Sequence, residues 1–194
     1  MLSRQAKVLS DMQIRAVLGA LVSGRNARRN RVMFLLSLHG LRAKEIAALE
    51  ISMITDAEGD VGSEIRLEDR ASKGRSGRVV PMSKTLRSEL EEYLRERGEC
   101  SSRHVIITER SEHFSAHAVV VFFERLYKRL GFSGATSHSG RRTYITRAAR
   151  KISHAGGSLR DVQLLAGHSQ LSTTQRYIEQ DGEAQRKVTS MLYE

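Results

Sequence analysis

Apolar residues recur at helical spacing along most of the chain. Ile14, Val17, Leu18 and Leu21 share one face behind Ser10, whose hydroxyl suits a helix N-cap. Val32, Leu35, Leu36 and His39 continue the pattern over residues 26 to 39, and Gly40 is a natural stop. Ile46, Ala47 and Leu49 then point inward from a short helix. Between residues 50 and 81 the rhythm changes. Ile51, Met53 and Ile54, then Ile65 and Leu67, then Val79-Val80-Pro81 form short apolar runs separated by DAEGDVGS and SKGRSG. That punctuation predicts a small antiparallel sheet. Helical spacing resumes from Ser83 to about Arg97, with Gly98 beyond it, and from Ser115 to Leu130, before Gly131. HVIIT at 104–108 reads as a short strand or a buried connector. Further helical pieces are expected at about 139–152, 158–166, 171–180 and 182–192. The predicted fold class is α+β, mostly α: a multi-helix domain with a small antiparallel three-stranded sheet near its N-terminal side.

Composition narrows this picture. At 194 residues, 40% hydrophobic and 28% charged, the chain has the make-up of one soluble globular domain rather than of a disordered segment. Its longest apolar run, Val32 to Leu38, is far short of the ~20 residues that span a bilayer. The opening MLSRQAKVLSD has neither an apolar core nor a small-residue cleavage site, so no signal peptide is expected. A single cysteine, Cys100, makes no intramolecular disulfide, which fits a reducing, cytoplasmic setting. Against 22 Asp+Glu stand 32 Lys+Arg, a formal net charge of +10. Such an excess points to a polyanionic partner, most often nucleic acid, with a merely basic soluble protein as the plain alternative.

Several polar residues interrupt the apolar pattern where chemistry is possible. Arg42 follows HGL at the start of a short helix, and Lys73 sits in a Gly/Ser-rich turn. His138 and Arg141 lie three apart at a helix start, where one anion can meet both side chains and the free amides. In AGHSQLSTTQRYIE, Gly167 permits a tight break, His168 follows it, and Tyr177 comes nine residues after that histidine. Singly, these are a helix-end arginine, a hairpin lysine and a half-buried packing tyrosine. Their joint occurrence, in this order and in a basic chain, carries the information. Cys100, His104, His113 and His117 have a superficial zinc-ligand look, but the spacing and the missing second cysteine argue against it, and no metal site is expected.

HGLRAKEIAAL, SKGRSGRVVP, SHSGRRTYIT and AGHSQLSTTQRY together resemble the motif boxes of the tyrosine recombinase (phage integrase-like) family, over about residues 10 to 180. The resemblance implies six catalytic positions: Arg42, with Glu45 as its acidic companion, then Lys73, His138, Arg141, His168 and the nucleophile Tyr177. Ala166 stands where the family usually has Leu, and KISHAGGS is longer than usual; neither touches a catalytic position. The implied organisation is a catalytic domain over 1–180 and a C-terminal helical tail over 181–194. Only about ten residues precede the first helix, so no separate N-terminal core-binding domain is expected. The chain thus resembles either an excised catalytic domain or the small single-domain members.

The implied activity is site-specific DNA recombination, in which strands are cleaved and rejoined through a 3′-phosphotyrosyl bond at Tyr177. Arg42 and Arg141 would hold the non-bridging phosphate oxygens. Lys73 would protonate the departing 5′-oxygen, His138 would assist proton transfer at the tyrosine, and His168 would hydrogen-bond the phosphate. No cofactor, metal or ATP is required. The implied partner is double-stranded DNA, bound by a homotetramer at a synapse, with a monomeric free state left open and no membrane association. Arg75 and Arg78, flanking the lysine turn, and Arg25, Arg28 and Arg29, clustered with Arg31, are the candidate DNA-binding residues; for that cluster a solvated basic face is the alternative. Aromatics at 5% with no Trp argue against stacking on single strands. The terminal segment folds on its own core or docks on a neighbouring subunit. The competing activities are a type IB topoisomerase-like DNA relaxing enzyme and a non-catalytic DNA-binding regulator on the same fold.

Overall fold

The computed structural model describes residues 6–68, 77–98, 100–109, 111–177 and 189–191. Its helices begin where the sequence supplies a side-chain acceptor. The first, α1 (Asp11–Ala20), starts at Ser10, whose hydroxyl accepts from the Gln13 N–H at 3.2 Å while the Gln13 side chain accepts from the Ser10 N–H at 3.1 Å. The second, α2 (Ala27–Leu38), is the central helix: Val32 to Ser37 are buried without interruption. After the short α3 (Ala43–Ala47) come strands β1 (Glu64–Leu67) and β2 (Arg78–Pro81). Ser83 and Ser115 then cap α4 (Lys84–Arg97) and α5 (Ala116–Arg129), each hydroxyl accepting from the N–H three residues on. The chain continues through α6 (Ser139–Lys151), α7 (Leu159–Ala166) and α8 (Leu171–Gln175).

The sheet has two strands among the described residues, not three. β1 and β2 pair antiparallel, in a register running from Glu64 opposite Pro81 to Leu67 opposite Arg78. The expected first strand curls instead into a 3₁₀ turn at Ile51–Met53, closed by the Thr55 hydroxyl donating to the Ile51 carbonyl at 3.0 Å. The successive residues Met53 and Ile54 are both buried, a demand that a strand with one covered face cannot meet and a tight turn can. HVIIT is a buried connector: Glu50 bridges to His104, the Val105 N–H donates to the Leu49 carbonyl, and Val105 and Ile106 are both interior. The helix expected over 171–180 ends at Gln175, and most of 182–192 lies outside the described residues, as does most of the expected tail.

Two apolar cores result. The larger joins α1 to α5 and the sheet, with Phe34, Phe123 and Tyr127 its bulkiest members. The smaller is built on Ile145, Val162 and Ala166, with Tyr144, Ala148, Ile152, Leu159 and Tyr177 packed on it. The α2–α6 contact joins the two, and the polar side chains of interest collect at that junction. Among the described residues, no helix is long and apolar enough to cross a membrane.

Candidate active site

Two helix C-termini create the site. A helix ends with carbonyls that have no partner within it, and these carry the negative end of the helix dipole. At the end of α7, the successive carbonyls of Leu165, Ala166 and Gly167 receive three arginines. Arg78 Nε donates to Leu165 at 3.0 Å, Arg141 Nη2 to Ala166 at 2.6 Å and Arg42 Nη2 to Gly167 at 3.5 Å. Past the end of α2, the Gly40 carbonyl accepts from Arg141 Nη1 and from Arg78 Nη2. Gly40 adopts φ +85°, and a side chain there would press on the Tyr144 ring, which explains the glycine in HGLR.

Three clustered cations need a counter-charge, and Glu45 supplies it. Its carboxylate is 1% exposed and accepts from Arg42 Nη1 at 2.7 Å, from Arg78 Nη1 at 2.8 Å and Nη2 at 2.9 Å, and from the Arg42 N–H at 2.8 Å. Burial pushes this carboxyl pKa up, but the Arg78 and Arg42 contacts outweigh it and hold the group down at about 2. Arg141 is almost fully buried. Burial first, then the Arg42 and Arg78 charges, lowers its pKa to about 9, still a cation at neutral pH. Arg42 is the more open of the pair, its side chain 27% exposed.

His168 follows Gly167, which ends α7 in the left-handed conformation at φ +60°. Its Nε2 lies 3.1 Å from Arg141 Nη2 and its Nδ1 lies 3.0 Å from Thr174 Oγ1. Arginine only donates, so Nε2 accepts, and the ring proton sits on Nδ1, donated to the threonine. Burial, then the charges of Arg141, Arg42 and Arg78, lowers the imidazole pKa to about 4, which keeps it neutral for this arrangement. Gln163 fixes the turn, accepting from the His168 N–H through its backbone and donating to the His168 carbonyl from its side chain at 2.8 Å. The Tyr177 ring stacks on His168 with 5.6 Å between centroids, and the Arg142 guanidinium stands 5.8 Å from the same ring. His138 is the exposed N-cap residue of α6; partial desolvation and the nearby Arg141 and Arg42 charges lower its pKa.

The fold thus gathers Arg42, Arg141, His168 and Tyr177, with His138 at the rim. Lys73 and Arg75 lie outside the described residues. Arg78, expected at the DNA backbone, is instead buried with its side chain 5% exposed and its guanidinium occupied by Glu45, Leu165 and Gly40. Arg25 pairs with Glu109, Arg28 with Glu96 at 2.7 Å and Glu89 at 3.5 Å, and Arg31 with Glu89 at 2.5 Å. Arg29 donates to the Ile107 carbonyl and lies over the Phe114 ring. Arg28, Arg29 and Arg31 line a wide cleft of about 760 Å³ at the opposite end of α2 from the arginine cluster. His104 and His113 stand with ring centroids 5.5 Å apart, but no group of three metal-binding side chains occurs among the described residues.

Sequence reasoning missed the parts played by Thr174, Gln163 and Arg78. Arg78 had left a trace: it alternates with Val79 so as to share the inward face of β2 with Val80. Thr174 and Gln163 leave none, because their partner is a residue whose position only the fold defines.

Two cationic donors stand beside a phenol and an imidazole, an arrangement able to hold an anionic group, carried by a helical α+β domain. Residues 7–183 match the sequence profile of the phage integrase family, and the chain belongs to that family. It is 33% identical over 156 residues to tyrosine recombinase XerA of Pyrococcus horikoshii, covering 78% of this chain and 50% of that protein. It is 31% identical over 182 residues to tyrosine recombinase XerD of Ralstonia nicotianae, covering 90% and 56%. The chain therefore spans about half the length of these relatives. In fold it is similar to a crystal structure of XerA recombinase, with a TM-score of 0.73 at 23% identity over 100% of this chain and 66% of that one. It is also similar to the Tn1549 transposon integrase in complex with transposon right end DNA, with a TM-score of 0.77 at 17% identity over 100% and 68%.

Proposed function

We propose that this chain is the catalytic domain of a site-specific DNA recombinase, cleaving and rejoining double-stranded DNA through a covalent bond to Tyr177. The observation that carries the reading is the pair Arg42 and Arg141, oriented by one carboxylate and two helix ends, beside the Tyr177–His168 stack. The relatives named above, both tyrosine recombinases, support it, as do the recombinase–DNA complexes among the similar folds.

In this mechanism the two guanidiniums hold the non-bridging oxygens of a phosphodiester, where negative charge grows during attack. Tyr177 Oη bonds to phosphorus and the P–O5′ bond breaks. The phenolic proton passes to a base and the departing 5′-oxygen gains a proton from an acid. The product is a 3′-phosphotyrosyl linkage and a free 5′-hydroxyl. Attack by a 5′-hydroxyl from a second duplex reverses each step, so strands are exchanged without net loss of a phosphodiester. The lowered pKa of His138 suits it to receive the phenolic proton at neutral pH. Lys73 is assigned the acid role by resemblance alone. His168, neutral and accepting from Arg141, keeps that guanidinium aimed; a bond from its Nε2 to the phosphate requires this contact to be released and a proton to be placed on Nε2.

The reading is tested with a pool of nicked duplexes of randomised sequence. Wild-type protein is expected to capture DNA in adducts that survive detergent, and sequencing the captured strands gives the site. Tyr177→Phe is expected to bind the recovered duplex and form no adduct. An adduct in that variant assigns the nucleophile elsewhere, and no adduct from the wild type on any duplex overturns the reading.

A further inference from the structure

Of the three arginines at the end of α7, Arg42 and Arg78 touch Glu45; Arg78 is the less exposed of these two, and no step of the mechanism above uses it. Its surroundings are those of a connector. The guanidinium takes both oxygens of Glu45 in the fork geometry that arginine offers and lysine does not. Nε and Nη2 reach the carbonyls of Leu165, at the end of α7, and Gly40, past the end of α2. Its side chain also lies against Gly167, where an added Cβ would fall 2.9 Å from Arg78 Cδ. One side chain thus joins four segments: the arginine box, the segment that carries His168, the strand β2 and, through β2, the root of the β1–β2 connection that bears Lys73.

We infer that Arg78 is a positioning residue, which acts through Glu45 to hold Arg42 toward the scissile phosphate and ties the lysine-bearing hairpin to both catalytic arginines. The inference rests on the proposed function for its catalytic consequence, but its structural core, the Arg78–Glu45–Arg42 chain, stands without it. A bidentate partner on one side of a carboxylate fixes the plane of that carboxylate and so the direction from which Arg42 must approach. Loss of Arg78 leaves Glu45 buried with Arg42 as its one direct cation, free to rotate toward it. Misplacement of a transition-state donor by about 1 Å is worth on the order of 10² in rate.

The charged groups facing Glu45 are Arg42 on its own helix, Arg78 from β2 and, across Gly40, Arg141 from α6. Without Arg78 the carboxyl therefore keeps two positive neighbours and still titrates below the range of a solvent-free carboxylic acid, but above its native value.

The test uses the full chain as Arg78→Met and Arg78→Lys. Three quantities are read: the Glu45 carboxyl titration by carbon NMR without DNA, the rate of adduct formation on the captured nicked duplex as a function of pH, and duplex affinity as a function of salt. For Arg78→Met the Glu45 midpoint is expected to rise by at least about one pH unit and adduct formation to slow by about 10²-fold. The acid limb of its rate profile should move up with the Glu45 midpoint, while affinity and its salt dependence stay as in the wild type. Arg78→Lys, which retains the charge but not the fork, should fall between; where Arg78→Met does not fold, the lysine variant carries the same comparison.

An unchanged Glu45 midpoint together with an unchanged adduct rate overturns the inference. So does weakened affinity with the salt slope reduced by about 0.9, which is the signature of a lost phosphate contact. If the wild type itself forms no adduct, the proposed function fails, and the Glu45 titration still decides whether Arg78 controls that carboxylate.

Discussion

A carboxylate enclosed between guanidiniums is favourable only while every member keeps its charge, so Glu45 ties the stability of the fold to pH. Its folded pKa, about 2, lies below the ordinary 4.5. The stabilisation is fully present above 4.5 and is lost as pH falls through about 2. His168 acts in a higher window: its folded pKa of about 4 lies below the ordinary 6.5, so the unfolded chain takes up the proton first. That part of the stability is complete above 6.5 and declines toward 4. Glu45→Gln is expected to lower unfolding free energy by about 3 kcal/mol at pH 7, since it leaves Arg78 buried without its counter-charge. It should also flatten the stability profile below pH 4.5, while His168→Asn flattens the profile between 6.5 and 4. Urea titrations of the three proteins across pH check both. At this scale the sequence was legible where motif spacing carried the residue, as for Arg42, Arg141 and Tyr177. For Arg78 the alternation along β2 marked the inward face but not the partner, because what a buried arginine bonds is defined only once Glu45 is placed.

Elements were readable where their boundaries are local. The serine caps at 10, 83 and 115 and the glycines after α4 and α5 mark ends through bonds to neighbours within four residues. The strand count failed because the start of Ile51 to Ile54 is fixed by distant partners that no local pattern reveals: Glu50 bridges to His104, and the Ile51 N–H donates to the Arg103 carbonyl. The same dependence on distance governs how α6 seats Arg141. Gly140, in the first turn of α6, lies so close to α2 that an added Cβ would overlap Ser37 Oγ and stand 2.9 Å from Ser37 Cβ. Gly140→Ala must therefore push the two helices apart at the residue preceding Arg141. Overpacking of this kind costs about 2 kcal/mol, and thermal unfolding should show it. Ser37→Gly removes both overlapping side-chain atoms, so the double variant should be more stable than the sum of the two single losses. Simple additivity would place the strain elsewhere.

For the molecule as a whole, the net charge of +10 overstates the cations available to a polyanion. Arg25, Arg28 and Arg31 at the start of α2 each bond a carboxylate of the same chain, and Arg29 is spent on a carbonyl and an aromatic ring. Arg78 is enclosed. A phosphate approaching the start of α2 must displace Glu89, Glu96 or Glu109 before it neutralises a guanidinium, and the net gain in released counterions is then small. At the other end of α2, Arg42 is partly open and its carboxylate is shared with Arg78. The salt dependence of DNA affinity distinguishes the two ends. Each direct phosphate contact contributes about 0.9 to the slope of log affinity against log salt. Arg42→Ala is therefore expected to reduce the slope by about that amount on a duplex of the captured sequence. Arg25→Ala and Arg28→Ala are expected to leave it unchanged, because each removes a cation already balanced by a glutamate. Slopes reduced by all three substitutions would mean that the ion pairs at the start of α2 open to bind DNA. The basic cluster would then grip the backbone some 18 Å along the helix from the arginine site, at about 1.5 Å per residue.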